Sequence, residues 1–159
     1  MKKIKSALIS VSDKSNLKPL LQILKKNKVK IISSGGTFKT IKRLKFDCSE
    51  VSDFTGFKEI LGGRVKTLHP KIHAGILSKR NNKLHQKQLK NNKFENIDLV
   101  IVNFYPFEKT LKKTKKHEKI LENIDIGGPA MVRAAAKNYK DVTIITKLDQ
   151  YEKLISELN

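Results

Sequence analysis

The segment with the densest set of potentially functional residue types is 62–77. Its sequence is GGRVKTLHPKIHAGIL, which places a glycine pair, an arginine, a lysine, a threonine and two histidines close together. Paired glycines let the backbone approach a ligand closely. Guanidinium, ammonium and hydroxyl groups are together the donors that hold a phosphate or another anion with several oxygens. We therefore predict a ligand site here rather than a plain basic turn.

Two turns that follow predicted strands offer the same kind of site. Residues 10–14 (SVSDK) follow a strand predicted at 7–11, and residues 34–37 (SGGT) follow one predicted at 29–32. The carboxyl ends of parallel strands meet at one edge of a sheet, which is where ligands bind. Each turn precedes a helix, whose free N–H groups and positive dipole end attract an anion. With the arginine loop they predict a phosphate-bearing ligand, although neither turn matches a P-loop and no GxGxxG is present.

A third helix start, DIGGP at residues 125–129, repeats this arrangement. Pro129 suits the first helical position, where its missing N–H costs nothing, and the backbone N–H groups before it are candidates for an oxyanion hole. Asp125 is either a general base or only a helix cap. Lys137 lies about 12 Å along the helix axis from Pro129, at ~1.5 Å per residue. Spacing alone therefore makes it an ordinary surface lysine.

Two histidines and one tyrosine also have more than one interpretation. His69 and His73 have the i,i+4 spacing of a metal-binding pair on a helix. Pro70 starts the helix after His69, however, and no third ligand stands nearby, so no metal is expected. Tyr105 follows a buried strand and is either a hydrogen-bond donor in the site or a core residue at the strand end.

Strand and helix signals alternate along the chain, which predicts a parallel α/β sheet in one domain over residues 1–159. The predicted strands are 7–11, 29–32, 47–51, 99–102 and 142–145. The predicted helices are 16–26, 38–44, 54–61, 70–77, 130–138 and 148–158, with an exposed helix and loops over 79–93. The charge run 110–119 predicts a mobile loop.

The net charge of +19 comes almost entirely from lysine, with 30 Lys against 4 Arg. A lysine-rich solvated surface explains this charge better than nucleic-acid binding, because the chain has no zinc-ligand spacing and no aromatic-glycine RNA-binding signature. Steering of small anionic substrates is a further interpretation. Nucleic acid is therefore not the partner that we expect.

The remaining composition indicates a protein of the cytoplasm. No apolar run approaches the ~20 residues that a membrane-spanning helix needs, and no small-residue cleavage site follows the basic N-terminus. Cys48 is the only cysteine, so no internal disulfide can form. We expect a reducing compartment and no membrane association.

Several motifs, in order, resemble the IMP cyclohydrolase domain, the N-terminal part of bifunctional purine biosynthesis proteins. The resemblance covers about residues 8–145. The motifs are SDK at 12–14, SGGT at 34–37, the whole of 62–77, NFYPF at 103–107 and DIGGPAMVRAAAKN at 125–138. It implies a three-layer, methylglyoxal-synthase-like α/β fold and ring closure of 5-formamidoimidazole-4-carboxamide ribonucleotide to IMP. It implies no cofactor, and the family's folate-dependent formyltransferase domain is absent from these 159 residues.

The resemblance also assigns residues to the site. The residues expected to line the nucleotide site are Ser12, Lys14, Ser34, Gly35, Gly36, Thr37, Arg64 and Thr67. Those expected to contact the base portion are Asn103, Ile126 and Gly127. Those that resemble the catalytic group are Lys66, Tyr105, Asp125 and Lys137. In this scheme Asp125 is the base, Lys66 and the 126–127 backbone stabilise the oxyanion, and Lys137 is the acid that assists loss of water.

Two other functions stay open. A methylglyoxal-synthase-type lyase would also need a carboxylate base and a phosphate site, but its phosphate loop has a Gly-Thr-Thr-Gly pattern where this chain has SGGT at 34–37. A non-catalytic regulatory module would need the nucleotide site without the catalytic group. The expected partner is a purine nucleotide such as IMP, and a homodimer is a candidate oligomeric state.

Overall fold

A five-stranded parallel sheet forms the centre of the protein in a computed structural model that describes residues 3–159. Along the sheet the strand order is β3-β2-β1-β4-β5. The strands are β1 (Ser6–Val11), β2 (Lys30–Ser33), β3 (Ser49–Glu50), β4 (Leu99–Asn103) and β5 (Thr143–Ile145). All four neighbouring pairs are parallel, which confirms the predicted α/β sheet.

Helices cover both faces of the sheet. The helices are α1 (Leu17–Lys26), α2 (Gly35–Arg43), α3 (Val51–Thr55), α4 (Pro70–Leu77), α5 (Lys83–Asn91), α6 (Phe107–Lys113), α7 (His117–Leu121), α8 (Gly127–Lys137) and α9 (Gln150–Leu158), with a 3-10 turn at Leu61–Gly63. Within residues 3–159, no helix is long and apolar enough to cross a membrane.

Two apolar clusters, one on each face, follow from the alternation of side chains along each strand. Ile9 and Ile101 belong to one cluster, with apolar residues of α1 and α9. Leu8 and Val100 belong to the other, with apolar residues of α3, α4 and α8. Because a parallel sheet is buried on both faces, its central strands contain continuous apolar runs, as at residues 99–102 of β4.

The register of the three central strands brings their carboxyl ends together. Ile9 of β1 pairs with Ser33 at the end of β2, and Val11 pairs with Asn103 at the end of β4. The segments that follow these strands therefore begin side by side at one edge. This edge is referred to below as the carboxyl edge.

Some predicted element bounds are wrong. The helix predicted at 54–61 is the shorter α3, because Gly56 adopts φ 74 and ends it. The loop predicted at 110–119 contains parts of α6 and α7. The lysines of the charge run predicted a loop. Phe107 and Leu111 are, however, an i,i+4 pair of apolar residues, which is typical of a helix.

Two helices begin three residues before their predicted starts. Helix α2 begins at Gly35, and helix α8 begins at Gly127. Glycine pairs are typical of turns, but in the structure these glycines form the first turns of the two helices. Their backbone N–H groups are thus among the free donors at the helix N-termini.

Candidate active site

A cavity of about 770 Å³ opens at the carboxyl edge. Its wall is formed by the segments that follow β1, β2 and β4, together with residues 62–67 and 121–128. The volume lies within the range of small-molecule sites. The three predicted anion loops, which contain Ser12, Ser34 and Arg64, therefore converge on one cavity, as the alternation of strands and helices predicted.

Fourteen of the fifteen residues assigned from the sequence line this cavity. They are Ser12, Lys14, Ser34, Gly35, Gly36, Thr37, Arg64, Lys66, Thr67, Asn103, Tyr105, Asp125, Ile126 and Gly127. The exception is Lys137, the last residue of α8, which is exposed and does not line the cavity.

Two lysine ammonium groups flank the first turn of α2. A Cβ atom built on Gly35 would lie 3.4 Å from Lys66 Nζ, and one built on Gly36 would lie 3.8 Å from Lys14 Nζ. No side chain caps this helix N-terminus. Free N–H groups, the positive dipole end and two ammonium groups form an anion site. We call it the α2 cradle, defined by Lys14, Gly35, Gly36 and Lys66.

Glycine is required next to the cradle for steric reasons. Gly35 has φ 55 and Gly63 has φ 90, a left-handed region that favours glycine. A Cβ atom on Gly63 would lie 2.9 Å from Lys66 Cε. A side chain there would therefore displace Lys66 as well as strain the backbone.

Each of two cations in the cavity wall has a carboxylate partner. Lys66 Nζ lies 2.7 Å from Glu59 Oε2, and Arg64 is paired with Glu122. The Arg64 guanidinium lowers the pKa of the Glu122 carboxyl. The Arg64 and Glu122 side chains are 65% and 58% exposed. Exposed pairs contribute little to stability, so an incoming anion can replace these carboxylates at small cost.

Asp125 both caps α8 and lines the cavity. Its Oδ1 accepts a hydrogen bond of 2.8 Å from the Gly128 backbone N–H. A Cβ atom on Gly128 would lie 2.5 Å from Asp125 Oδ2, and one on Gly127 would lie 2.6 Å from Thr67 Oγ1. The glycines therefore let the carboxylate and the threonine approach the start of α8. Since a carboxylate has two oxygens, the cap leaves capacity for a second role.

The side chains of Asn103 and Thr37 form hydrogen bonds with the protein backbone. Asn103 Oδ1 accepts hydrogen bonds from the backbone N–H groups of Ser12 (2.6 Å) and Asp13 (2.9 Å), and its Nδ2 donates to the Asp13 carbonyl (2.8 Å). The Thr37 hydroxyl accepts from the Val11 N–H and donates to the Val11 carbonyl. Both residues fix the segment after β1. Sequence analysis did not find this bracing role, because the partners are distant in the chain.

Comparison with known proteins identifies the fold family at this point. Residues 16–130 match the family model of the MGS-like domain. The chain belongs to the MGS-like domain family.

Curated relatives are bifunctional purine biosynthesis proteins named PurH. The chain is 54% identical to the protein of Persephonella marina over 154 residues, and 51% identical to that of Clostridioides difficile over 154 residues. Each match covers 97% of this chain and 30% of the relative, in its N-terminal part. The chain therefore spans less than a third of the length of these relatives.

A solved structure shares the fold of this chain. The crystal structure of ForH superposes with a TM-score of 0.83 at 30% sequence identity. The match covers 96% of this chain and 78% of ForH. This level of identity and overlap shows that the chain and ForH share one fold.

Exposed apolar side chains form part of the rim of the cavity in this MGS-like domain. Tyr105 is 50% exposed, Ile124 48% and Ile126 58%, and all three line the cavity. Such side chains at a cavity mouth can cover a planar ring. Leu121, Glu122 and Ile124 were missed in the sequence, because the preceding residues were read as a loop.

Of the two histidines next to the site, one caps a helix and the other is half-buried. His69 Nδ1 accepts a hydrogen bond of 3.1 Å from the Lys71 N–H and caps α4. His73 is half-buried, and burial lowers its pKa. Across residues 3–159, no group of three or more His, Cys, Asp or Glu side chains is arranged to hold a metal ion.

Proposed function

We propose that this MGS-like domain is an IMP cyclohydrolase, which closes 5-formamidoimidazole-4-carboxamide ribonucleotide to IMP with loss of water. The observation that carries the proposal is one cavity with the α2 cradle and with Asp125 at the start of α8 in its wall. The similarity to bifunctional purine biosynthesis proteins supports the same substrate class. These relatives are more than three times as long as this chain, and the match covers 30% of their length.

The α2 cradle would bind the 5′-phosphate of the nucleotide. A phosphate dianion suits two ammonium groups and a helix N-terminus, and the neighbouring Arg64 adds a forked donor. The carboxylates Glu59 and Glu122, which pair with Lys66 and Arg64, would give way to phosphate oxygens. Binding at this end fixes the substrate without taking part in the chemistry.

The chemistry would take place beside Asp125. The carboxamide nitrogen attacks the formyl carbon of the same molecule, so a C–N bond forms and Asp125 accepts the N–H proton. The formyl oxygen takes up negative charge, and the backbone N–H groups of 126–127 are candidates to stabilise it. The proton taken by Asp125 returns to that oxygen. The resulting hydroxyl then leaves as water with the N–H proton of the former formamido nitrogen, and a C=N bond completes the ring. Because both reacting groups belong to one substrate, the domain must mainly hold the cyclising conformer.

The roles of two lysines are supported unequally. Lys66 Nζ lies beside Gly35 and Gly63, which favours a phosphate contact, while its contact with the oxyanion stays a prediction. Lys137 as the acid rests on the resemblance alone, since it is exposed at the end of α8 and does not line the cavity. Tyr105 lies at the rim, where a hydrogen bond to the substrate is a further prediction.

A non-catalytic nucleotide-binding module is the second candidate, and the position of Lys137 favours it. Such a module would keep the α2 cradle and need no acid in the cavity. A methylglyoxal-synthase-type lyase is the third outcome, because it also combines a phosphate site with a carboxylate. The cytoplasmic location and the homodimer also stay predictions.

One set of assays separates these functions. The purified chain is incubated with the formylated ribonucleotide, and IMP formation is followed by absorbance. Methylglyoxal release from dihydroxyacetone phosphate is measured in parallel, and IMP binding is measured by calorimetry. The proposal expects IMP formation and IMP binding without methylglyoxal. Binding without turnover would support the module, and methylglyoxal release would support the lyase.

A further inference from the structure

Two exposed carboxylates lie next to cations that would hold the phosphate. Glu59 Oε2 lies 2.7 Å from Lys66 Nζ, and Glu122 is paired with Arg64 and lines the cavity. The Glu59 side chain is 56% exposed and that of Lys66 is 29% exposed, so the carboxylate is more open to solvent than the ammonium group. The Arg64 guanidinium lowers the pKa of Glu122, which is therefore negatively charged at neutral pH.

Glu59 is also close to the α2 cradle itself. A Cβ atom built on Gly35 would lie 3.4 Å from Lys66 Nζ. One built on Gly63 would lie 3.0 Å from the same nitrogen and 3.6 Å from Glu59 Oε2. Only one ammonium group therefore separates the Glu59 carboxylate from the first turn of α2.

The attractive groups of the site do not distinguish one phosphate chain length from another. Free N–H groups at a helix start and lysine ammonium groups bind the phosphate of a mono-, di- or triphosphate alike. The net charge of +19 attracts more strongly charged anions even more strongly. Selection of one chain length therefore needs a group that is unfavourable to the others.

The two carboxylates can supply this unfavourable term. A monophosphate offers its terminal oxygens to the cations and takes the place of the carboxylates that pair with them. A second phosphate must be attached through one of those oxygens, so it would extend past Lys66 or Arg64. It would then add negative charge close to Glu59 or Glu122, and like charges at short range repel.

We propose that Glu59 and Glu122 are specificity-determining residues, which make the site select a nucleoside monophosphate over a nucleoside di- or triphosphate by charge repulsion. The nucleoside part of this inference rests on the proposed function. Repulsion of a longer phosphate chain at the α2 cradle does not depend on the base, so inorganic ions can test it separately.

The test measures the dissociation constants of IMP and of inosine diphosphate by calorimetry. The buffer has low salt and no Mg²⁺, because this ion would neutralise the additional phosphate. The wild-type protein should bind IMP more tightly than the diphosphate. Glu59→Gln and Glu122→Gln should each reduce this preference about threefold to tenfold, the size of one close like-charge contact in water.

Glu95→Gln is the matched control. Glu95 pairs with Lys30 Nζ at 2.9 Å, and its side chain is 56% exposed, as is that of Glu59. Lys30 begins β2, so this pair lies at the edge opposite the cavity. The control removes the same charge from a similar pair and should keep the wild-type preference. An equal change in Glu95→Gln would show an effect of net charge and would overturn the inference.

Salt distinguishes repulsion from a change of shape. At about 1 M salt the screening length falls to about 3 Å. The difference in preference between Glu59→Gln and the wild type should then disappear. A difference that persists at this salt concentration would mean that the carboxylate acts through the form of the site, and it would overturn repulsion as the cause.

Failure of the charge selection can be told apart from failure of the proposed function. Phosphate and pyrophosphate repeat the comparison without a nucleoside. If the wild-type protein does not bind IMP, the proposed function fails. A reduced preference for phosphate over pyrophosphate in Glu59→Gln would still support the repulsion, whereas an unchanged preference, or no binding of either ion, would overturn it. If the wild-type protein forms IMP but binds the diphosphate at least as tightly, only the charge selection fails.

Discussion

Arg80 and Arg64 lie at opposite edges of the sheet and have different surroundings. Arg80 lies at the amino edge, where the strands begin, and its guanidinium donates to the Ile97 carbonyl at 2.7 Å and to Asp98 Oδ1 at 3.2 Å. Its side chain is 16% exposed. Asp98 also accepts from the backbone N–H groups of Lys5 and Ser6, at the start of β1. At this edge the charged side chains of Arg80 and Asp98 connect segments that are distant in the chain.

At the carboxyl edge the cations instead face a cavity. Arg64 is 65% exposed, and its ion-pair partner, Glu122, is exposed too. Lys14 and Lys66 lie beside glycines that leave room for a ligand. The amino-edge contacts stabilise the fold, whereas under the proposed function the cations of the carboxyl edge serve binding and catalysis. Substitutions at the two edges should therefore affect different measurements.

The largest effect is expected for Asp125→Asn. Loss of the base should lower turnover about 10²–10⁴-fold. The Asn Oδ1 can still accept from the Gly128 N–H, so the free energy of unfolding should change little. Steady-state cyclisation and urea unfolding measure the two effects, with Asp53→Asn at an exposed position of α3 as the matched control. Normal turnover in Asp125→Asn would show that Asp125 is only a cap.

Arg80→Ala should have the opposite profile. It leaves Asp98 without its guanidinium partner in a largely buried place, which should cost about 3 kcal/mol of unfolding free energy. Arg80→Lys keeps the charge but lacks the forked donors, so its loss should be smaller. IMP affinity of the folded protein should match the wild type in both variants. A specific loss of IMP affinity without destabilisation would contradict the division between the edges.

A comparison of Gly63→Ala with Gly62→Ala separates the effect of displacing Lys66 in the α2 cradle from the effect of backbone strain. Both glycines have positive φ, so either alanine should cost about 1–2 kcal/mol in backbone strain. Only at Gly63 would the new Cβ meet Lys66, whereas nothing lies within 4 Å at Gly62. Calorimetry should therefore show about tenfold weaker IMP binding for Gly63→Ala alone, roughly the loss of one charge-assisted hydrogen bond. Equal weakening in both variants would mean that strain, not Lys66, is responsible.

The smallest effect is expected for Glu59→Gln, which removes the carboxylate that competes for Lys66. Since exposed ion pairs contribute little, IMP should bind up to about fivefold more tightly. Glu152→Gln on α9 makes the same charge change elsewhere, and it controls for net charge. Weaker IMP binding in Glu59→Gln would indicate that Glu59 orients Lys66 rather than competing with the ligand.

The sequence predicted the fold well where the signals are local. Runs such as Leu99–Asn103 indicate buried strands because both faces of a parallel sheet are apolar. Pro70 and Pro129 indicate helix starts because proline fits the first turn. One loop of glycine, serine and lysine after a strand would be explained by an ordinary helix cap or tight turn. The anion loops could be found because two of them follow strands of one sheet and accompany the arginine loop.

The remaining features depend on contacts between distant segments. Nothing near Asn103 in the sequence shows that its amide joins the Ser12 backbone. The left-handed conformation of Gly56, which ends α3, is also set by the surrounding structure. Lys137 is a different case, because its helical spacing from Pro129 already indicated a surface lysine and only the family resemblance assigned it a catalytic role.

A crystal structure of the chain with bound IMP tests the central claim most directly. The phosphate oxygens should lie about 2.7–3.2 Å from Lys14 Nζ, Lys66 Nζ and the first N–H groups of α2, as charge-assisted hydrogen bonds require. The purine ring should lie beside residues 125–127. A phosphate bound at the start of α8, or IMP bound outside the cavity, would contradict the proposed site.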